Sequence, residues 1–72
     1  MRISRLYANV SLHIHETVNL DDDNAHYARS VLRLKNEAQI ILFNGQGGEF
    51  LGRVVEVSRK NVRVELQEFI DR

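Results

Sequence analysis

The sequence predicts a small, mainly β domain in which about five short strands form a barrel and one α-helix closes one end. Short runs of alternating apolar and polar residues are typical of half-buried strands, whereas residues 20–34 have a helical pattern. An Asn-Gly pair between two β-rich runs adds the signature of a hairpin. Curling such a sheet into a barrel would remove most exposed strand edges.

Two short strands are expected before the helix. The first lies in SRLYAN (4–9). The second, ETVNL (16–20), alternates Val18 and Leu20 with polar neighbours. Both segments fit strands that bury one face.

The helix is predicted from about residue 22 to residue 32. An aspartate of the DDDN segment can accept hydrogen bonds from the free N–H groups of the first turn, and the acidic start and basic end suit the helix dipole. On a helical wheel, His26, Arg29 and Arg33 fall within about 60° of one another. The opposite side gathers the apolar residues Ala25, Ala28, Val31 and Leu32.

A hairpin and a third strand are expected after the helix. QIILF and EFLGRVVEV flank the loop NGQGG, and NVRVELQ follows the turn SRKN with strict alternation. The glycine-rich loop is not expected to bind phosphate, because a phosphate-binding loop leads into a helix and this one leads into a strand pattern.

The composition limits the class of protein. A chain of 72 residues suffices for one domain, and 43% apolar with 28% charged residues argues against disorder. The absence of cysteine excludes a disulfide framework and a thiolate zinc site and suggests a cytoplasmic location. The longest apolar run, residues 40–43, is far too short to cross a bilayer, and MRISRLY lacks the apolar stretch of a signal peptide.

Other motifs predict little chemistry. The segment HIH could place His13 and His15 on one face of a strand, but zinc needs three or four protein ligands, so surface histidines are favoured. No serine or histidine lies in a nucleophile elbow or another catalytic signature. We therefore expect no catalytic, cofactor-binding or metal-ligating residue in these 72 residues.

Charge can point to nucleic acid only through its distribution, because ten basic and ten acidic residues cancel. The stripe of His26, Arg29 and Arg33 continues to Lys35 with no acid after Asp23, an arrangement that would attract phosphate. The alternative is an ordinary solvated helix face, and the residues alone favour it.

Over nearly its whole length, the chain resembles the N-terminal PUA-like domain of the RsmE family, the bacterial ribosomal RNA small-subunit methyltransferases E. The likeness rests on the order and spacing of MRISRLY, VLRL, LFNG and VSRKNVRVEL. Recurring family positions match at Arg5, Tyr7, Arg33, Asn44 and Gly45. Where the family often has a histidine, this sequence has Tyr27, and His26 lies one position earlier.

The resemblance implies a PUA-like barrel that serves RNA methylation. Members of the family use S-adenosylmethionine to methylate N3 of a uridine in 16S ribosomal RNA, and their catalytic and cofactor residues lie in a C-terminal knotted SPOUT domain through which they dimerise. These 72 residues would then be a non-catalytic module that binds ribosomal RNA.

Two alternatives stay open: a module that packs against a SPOUT domain, and a stand-alone RNA-binding domain. Packing would require apolar residues on both faces of the strand after the glycine-rich loop. Those residues are Phe50 and Val54 on one face and Leu51 and Val55 on the other.

The resemblance also sets the expected RNA contacts. Phosphate contacts are expected from Arg2, Arg5, Arg29, Arg33 and Lys35. Tyr7 is expected in the core or as a stacking platform for a base, and the core position is favoured. Arg29 and Arg33 are expected to be largely exposed.

Overall fold

The computed structural model describes residues 3–71, which form one five-stranded sheet and one helical segment. The strands are β1 (Ser4–Tyr7), β2 (Thr17–Asn19), β3 (Gln39–Phe43), β4 (Glu49–Val57) and β5 (Val62–Ile70). The helix α1 (Asp22–His26) continues directly into a π-helical turn (Tyr27–Val31). With 43% strand and 14% helix, the structure confirms the predicted mainly β class.

The sheet has the order β1-β3-β4-β5-β2 and is antiparallel except where β1 pairs with β3. The predicted barrel does not close within residues 3–71, since β1 and β2 remain the two edges of the sheet. Both edge strands are very short. In addition, the side-chain amide of Asn24 in α1 donates to the carbonyl of Tyr7 at 2.7 Å. The start of the helix therefore lies where a closing strand would have to pair with β1.

The core lies between the inner face of the curled sheet and the helix. Alternate residues of the three long strands point into it, as the period of two predicts. The larger side chains that are fully buried are Ile40, Leu42, Val54, Val62, Val64 and Leu66. Each contributes about 1.5–3 kcal/mol by its removal from water. Ala25 and Ala28 complete the core from the helical side.

The helix begins as predicted but turns differently near its end. The backbone N–H of Asn24 donates to the carboxylate of Asp21 at 2.8 Å, which confirms an aspartate cap. Beyond His26, the N–H of Leu32 reaches the carbonyl of Tyr27 at 3.0 Å, a bond that spans five residues instead of four. The wider turn changes the direction of the side chains within it. Val31, expected in the core, is instead 60% exposed.

The helical segment ends on a residue in the left-handed conformation. Arg33 has a φ of 54°, and the N–H of Leu34 donates back to the carbonyl of Ala28 at 2.9 Å. Helices commonly end this way, but the left-handed position is usually glycine. Arginine is less stable than glycine in this conformation, because its Cβ lies too close to the following carbonyl oxygen.

The predicted hairpin between β3 and β4 is confirmed, with a loop longer than a tight turn. Residues 44–48 connect the strands, and Gly45, Gly47 and Gly48 all have positive φ. The side chain of Asn44 accepts a hydrogen bond from the N–H of Gln46 at 3.1 Å. The glycines thus allow a backbone path that other residues rarely adopt.

We expect Gly52→Ala to destabilise the fold by about 1–3 kcal/mol, as overpacking of a filled core does. A Cβ at Gly52 would lie 2.5 Å from Cγ1 of Val64 and 3.0 Å from the carbonyl oxygen of Glu65. Equilibrium unfolding in urea measures the loss. In a Val64→Ala background the same substitution should cost less, and an equal cost in both backgrounds would contradict this explanation.

Arg33→Gly should raise the free energy of unfolding by up to about 1 kcal/mol, because glycine takes the left-handed conformation without a Cβ clash. The matched control is Arg33→Ala, which removes the same charge but keeps the Cβ. Urea unfolding of both variants separates backbone from side-chain effects. A gain of equal size in the alanine variant would show that the charge, and not the backbone, was responsible.

Candidate nucleic-acid interface

The end of the helical segment lies against the turn between β4 and β5. Arg29, in the π-helical turn, is half-buried, and its Nη1 donates to the carbonyl of Ser58 at 3.3 Å. The turn is held by its own hydrogen bonds, since the N–H of Ser58 donates to the carbonyl of Asn61 at 2.8 Å and the N–H of Asn61 donates back to Oγ of Ser58 at 3.1 Å. Two segments distant in sequence are thus joined by one arginine.

This junction gathers positive charge. Arg59 and Lys60 are exposed in the turn, and Arg33 and Lys35 are exposed just after the helical segment. We call this group the basic surface: Arg29, Arg33, Lys35, Arg59 and Lys60. Within residues 3–71, none of the five takes part in an ion pair. Their charge is therefore available to an external anion.

The remaining described arginines are bound to carboxylates of the protein itself. Arg53 donates to both carboxylate oxygens of Glu37, at 2.8 and 2.7 Å, and to Glu65 at 3.3 Å. These hydrogen bonds, first with Glu37 and then with Glu65, raise the pKa of Arg53 above its ordinary value. Arg63 pairs with Glu56 at 3.4 Å across β4 and β5. A net charge of zero thus coexists with one uncompensated basic region.

A second feature lies on the outer face of β1 and β3. Arg5 forms an ion pair with Glu49, whose side chain is almost completely buried, and its guanidinium lies 5.2 Å from the centre of the Phe43 ring. The rings of Tyr7 and Phe43 meet edge to face with centres 5.7 Å apart. We call this group the Arg5–Phe43–Tyr7 platform.

The favoured core position for Tyr7 was wrong, because its side chain is 51% exposed. Alternation along β1 places Leu6 in the core, so its neighbour must point outward. Arg29 is likewise less exposed than expected, since the π-helical turn directs it to Ser58. Arg33 is exposed as expected, although it lies beyond the helical segment.

The six predicted contact residues do not form one surface. Arg29, Arg33 and Lys35 belong to the basic surface, whereas Arg5 and Tyr7 belong to the platform, and Arg2 lies outside the described residues. Arg59 and Lys60 were missed. The signal for them was the SRKN turn itself, but only the folded chain shows that the helical segment ends against it.

The outer face of the sheet also bears on the packing alternative. Ile41 on β3 is aligned between Arg5 on β1 and Leu51 on β4, so apolar residues do occur on both sheet faces. However, Ile41 is only 7% exposed, and Leu51 and Val55 are half-buried. Little apolar surface is therefore free for a protein partner at this place.

Other kinds of site find little support in the described part of the chain. Residues 3–71 contain no cluster of three or more histidine, cysteine or acidic side chains able to hold a metal ion. His13 and His15 are exposed, as expected of surface histidines. No helix within the same residues has the length and apolar character needed to cross a membrane.

Comparison with known proteins identifies the relatives of this chain. Residues 20–67 match the family model described as RNA methyltransferase PUA domain. The ribosomal RNA small subunit methyltransferase E of Rickettsia conorii is 38% identical over 69 residues, which cover 94% of this chain and 28% of that protein. The chain thus spans little more than a quarter of the length of this curated relative.

Solved structures share the fold. A putative methyltransferase from Legionella pneumophila, in complex with bound SAM, matches 99% of this chain and 29% of its own with a TM-score of 0.92 at 25% identity. The ribosomal RNA small subunit methyltransferase E of Neisseria gonorrhoeae, bound to S-adenosyl methionine, matches 94% of this chain and 28% of its own with a TM-score of 0.86 at 25% identity. Because the family match runs from the residue before the helix cap into β5, and a methyltransferase E matches nearly the whole chain, the chain belongs to the RNA methyltransferase PUA domain family, as found in the RsmE enzymes.

Proposed function

We propose that this chain is the RNA-substrate-binding module of an S-adenosylmethionine-dependent methyltransferase that modifies N3 of a uridine in 16S ribosomal RNA. The observation that carries the proposal is the hydrogen bond from Arg29 to Ser58, because it joins the helical segment to the β4–β5 turn and so assembles the basic surface. The family assignment supports RNA as the ligand.

The electrostatics of the described residues favour RNA phosphate as the group bound. Five cations without a carboxylate partner lie in or next to the helical segment and the β4–β5 turn, whereas three arginines elsewhere are paired with carboxylates. RNA is recognised largely through its backbone, its shape and its unpaired bases, which calls for a few positioned cations and not for a uniformly basic domain. A neutral domain with a local basic surface meets that requirement.

The module itself is proposed to be non-catalytic. The support is that this chain matches only 29% and 28% of the two relatives solved with bound S-adenosylmethionine, which leaves most of each relative to hold the cofactor. Methyl transfer, S-adenosylmethionine binding and homodimer formation would belong to a C-terminal SPOUT domain. The intact protein would act in the cytoplasm, on the small ribosomal subunit during ribosome biogenesis.

A second candidate function is packing against that catalytic domain. The aligned apolar residues Ile41 and Leu51 on the outer face of the sheet favour it. Their limited exposure makes RNA binding the better supported function. The two functions differ in salt dependence, because burial of apolar surface is not screened by salt.

We expect weak, salt-sensitive binding to single-stranded segments of 16S ribosomal RNA. Each phosphate contact on a single strand contributes about 0.7 to the slope of log affinity against log salt, so four or five contacts give a magnitude of about 3. Replacing Arg59 and Lys60 by Gln should lower that magnitude by about 1.4. Fluorescence anisotropy over a salt series measures both slopes.

The matched control for this experiment is the double variant Gln39→Glu, Gln67→Glu. It makes the same change in net charge at two exposed residues outside the basic surface, one on β3 and one on β5. The control should keep the salt slope of the original chain. An equal loss in both double variants would show that only overall charge matters, and a salt-independent affinity would favour the packing function.

Titration calorimetry with S-adenosylmethionine should show no saturable heat for this chain, because the cofactor is proposed to bind in the C-terminal SPOUT domain. A titration with single-stranded RNA under low salt provides the positive control for folded, active protein. A saturable isotherm in the micromolar range would contradict the assignment of the cofactor to another domain.

A further inference from the structure

We propose that the Arg5–Phe43–Tyr7 platform stacks one unpaired RNA base. The inference rests on the proposed function and adds a second kind of contact to it, one made to a base and not to phosphate. It also assigns a role to Arg5 and Tyr7, the two predicted contact residues within residues 3–71 that the basic surface does not contain.

The platform offers planar groups to a flat ligand. The Arg5 guanidinium lies over the Phe43 ring, and the Tyr7 ring meets Phe43 edge to face at an interplanar angle of 66°, so a base would stack on Tyr7 or on Arg5 and not on one continuous flat surface. About half of the Tyr7 side chain and half of the Arg5 side chain are open to solvent. Unpaired bases in protein–RNA complexes stack on aromatic rings and on guanidinium planes of this kind.

The ion pair within the platform favours a neutral base over a phosphate as the ligand. Arg5 already has its counter-ion in Glu49, a carboxylate that is itself only 5% exposed and so cannot turn away to solvent. A phosphate at Arg5 would have to approach that buried negative charge. A neutral base meets no such repulsion, and it can contact the exposed part of the guanidinium.

The platform is also held in place before any ligand arrives. Asn24 donates to the carbonyl of Tyr7 at 2.7 Å, and Asn44 donates to the carbonyl of Val10 at 3.0 Å, which ties the segment after β1 to the glycine-rich loop. The Tyr7 ring lies beside Gly45 of that loop, where an added Cβ would be 3.8 Å away. Such support reduces the ordering cost of binding.

The strand that carries the platform and the turn that carries Arg59 and Lys60 contact opposite ends of the helical segment. Asn24, near the start of the segment, contacts the backbone of Tyr7, and Arg29, about 8 Å further along the helix axis, contacts the β4–β5 turn. The platform side chains lie on the outer face of the sheet, so an RNA strand that contacts both surfaces would pass around the edge formed by β1. Phosphate contacts would then position the RNA while the platform holds one base.

The experiment compares two octamers with the same number of phosphates: octauridine RNA and an oligomer of abasic ribose phosphates. We expect the chain to bind octauridine at least about fivefold more tightly, since stacking of one base contributes about 1–3 kcal/mol. Tyr7→Leu should lower the affinity for octauridine to that for the abasic oligomer, so that the ratio falls to about 1. The affinity for the abasic oligomer and the salt slope should not change. Tyr7→Phe, which keeps the ring, should preserve the ratio.

Two further variants make the result specific. Arg5→Lys keeps the ion pair with Glu49 but removes the guanidinium plane, and it should reduce the ratio in part. The Arg59→Gln, Lys60→Gln variant should weaken both oligomers alike and leave the ratio unchanged. Circular dichroism and urea unfolding establish that each variant is folded, which is expected for the half-exposed Tyr7.

The outcomes separate this inference from the proposed function. An equal preference for octauridine in the original chain and in Tyr7→Leu would overturn base stacking by the platform while RNA binding stands. No preference in the original chain would overturn it as well. If the original chain binds neither oligomer, both the inference and the proposed function fail.

Discussion

The close approach of the helical segment to the sheet is the constraint on which both candidate sites depend. Ala25 and Ala28 are buried against the core, and their small side chains allow the helix backbone to lie near the inner face of the sheet. One end of the segment then contacts the edge of β1 through Asn24, and the other contacts the β4–β5 turn through Arg29. A bulky residue at either alanine would push the helix outward and separate both sets of partners.

Charge in this protein is divided between folding and ligand binding. Arg53 and Arg63 tie neighbouring strands and loops together through carboxylates. The cations at the end of the helical segment have no such partners within residues 3–71, and their location near the carbonyl end of a helix is where positive charge is tolerated best. Net charge alone therefore says little about RNA binding in so small a domain, because the paired and unpaired cations lie in different places.

Sequence reasoning succeeded where a local rule decides the structure. The cap at Asp21, the hairpin around the glycine-rich loop and the alternation of β5 all follow from near neighbours in the chain. It failed where the outcome depends on packing between distant segments. The π-helical turn and the contact between Arg29 and Ser58 have no local signature. That contact brings the turn with Arg59 and Lys60 to the helical segment, so these two residues of the proposed RNA surface could not be named from the sequence.

The parallel pairing of β1 with β3 has a consequence for the order in which the molecule assembles. The strands β3, β4 and β5 pair with their neighbours in sequence, whereas Ser4 must find Ile40 across the whole helical segment. Closing that long loop costs entropy before any contact is gained, so local pairs form more readily than this one. Arg5 and Tyr7 lie on one of the two edge strands that join the sheet through such long-range pairing, the other being β2, which pairs with β5. Arg5 can therefore reach its partner Glu49 only once β1 has paired with β3, so the surface proposed to hold a base is assembled after the local pairing of β3, β4 and β5.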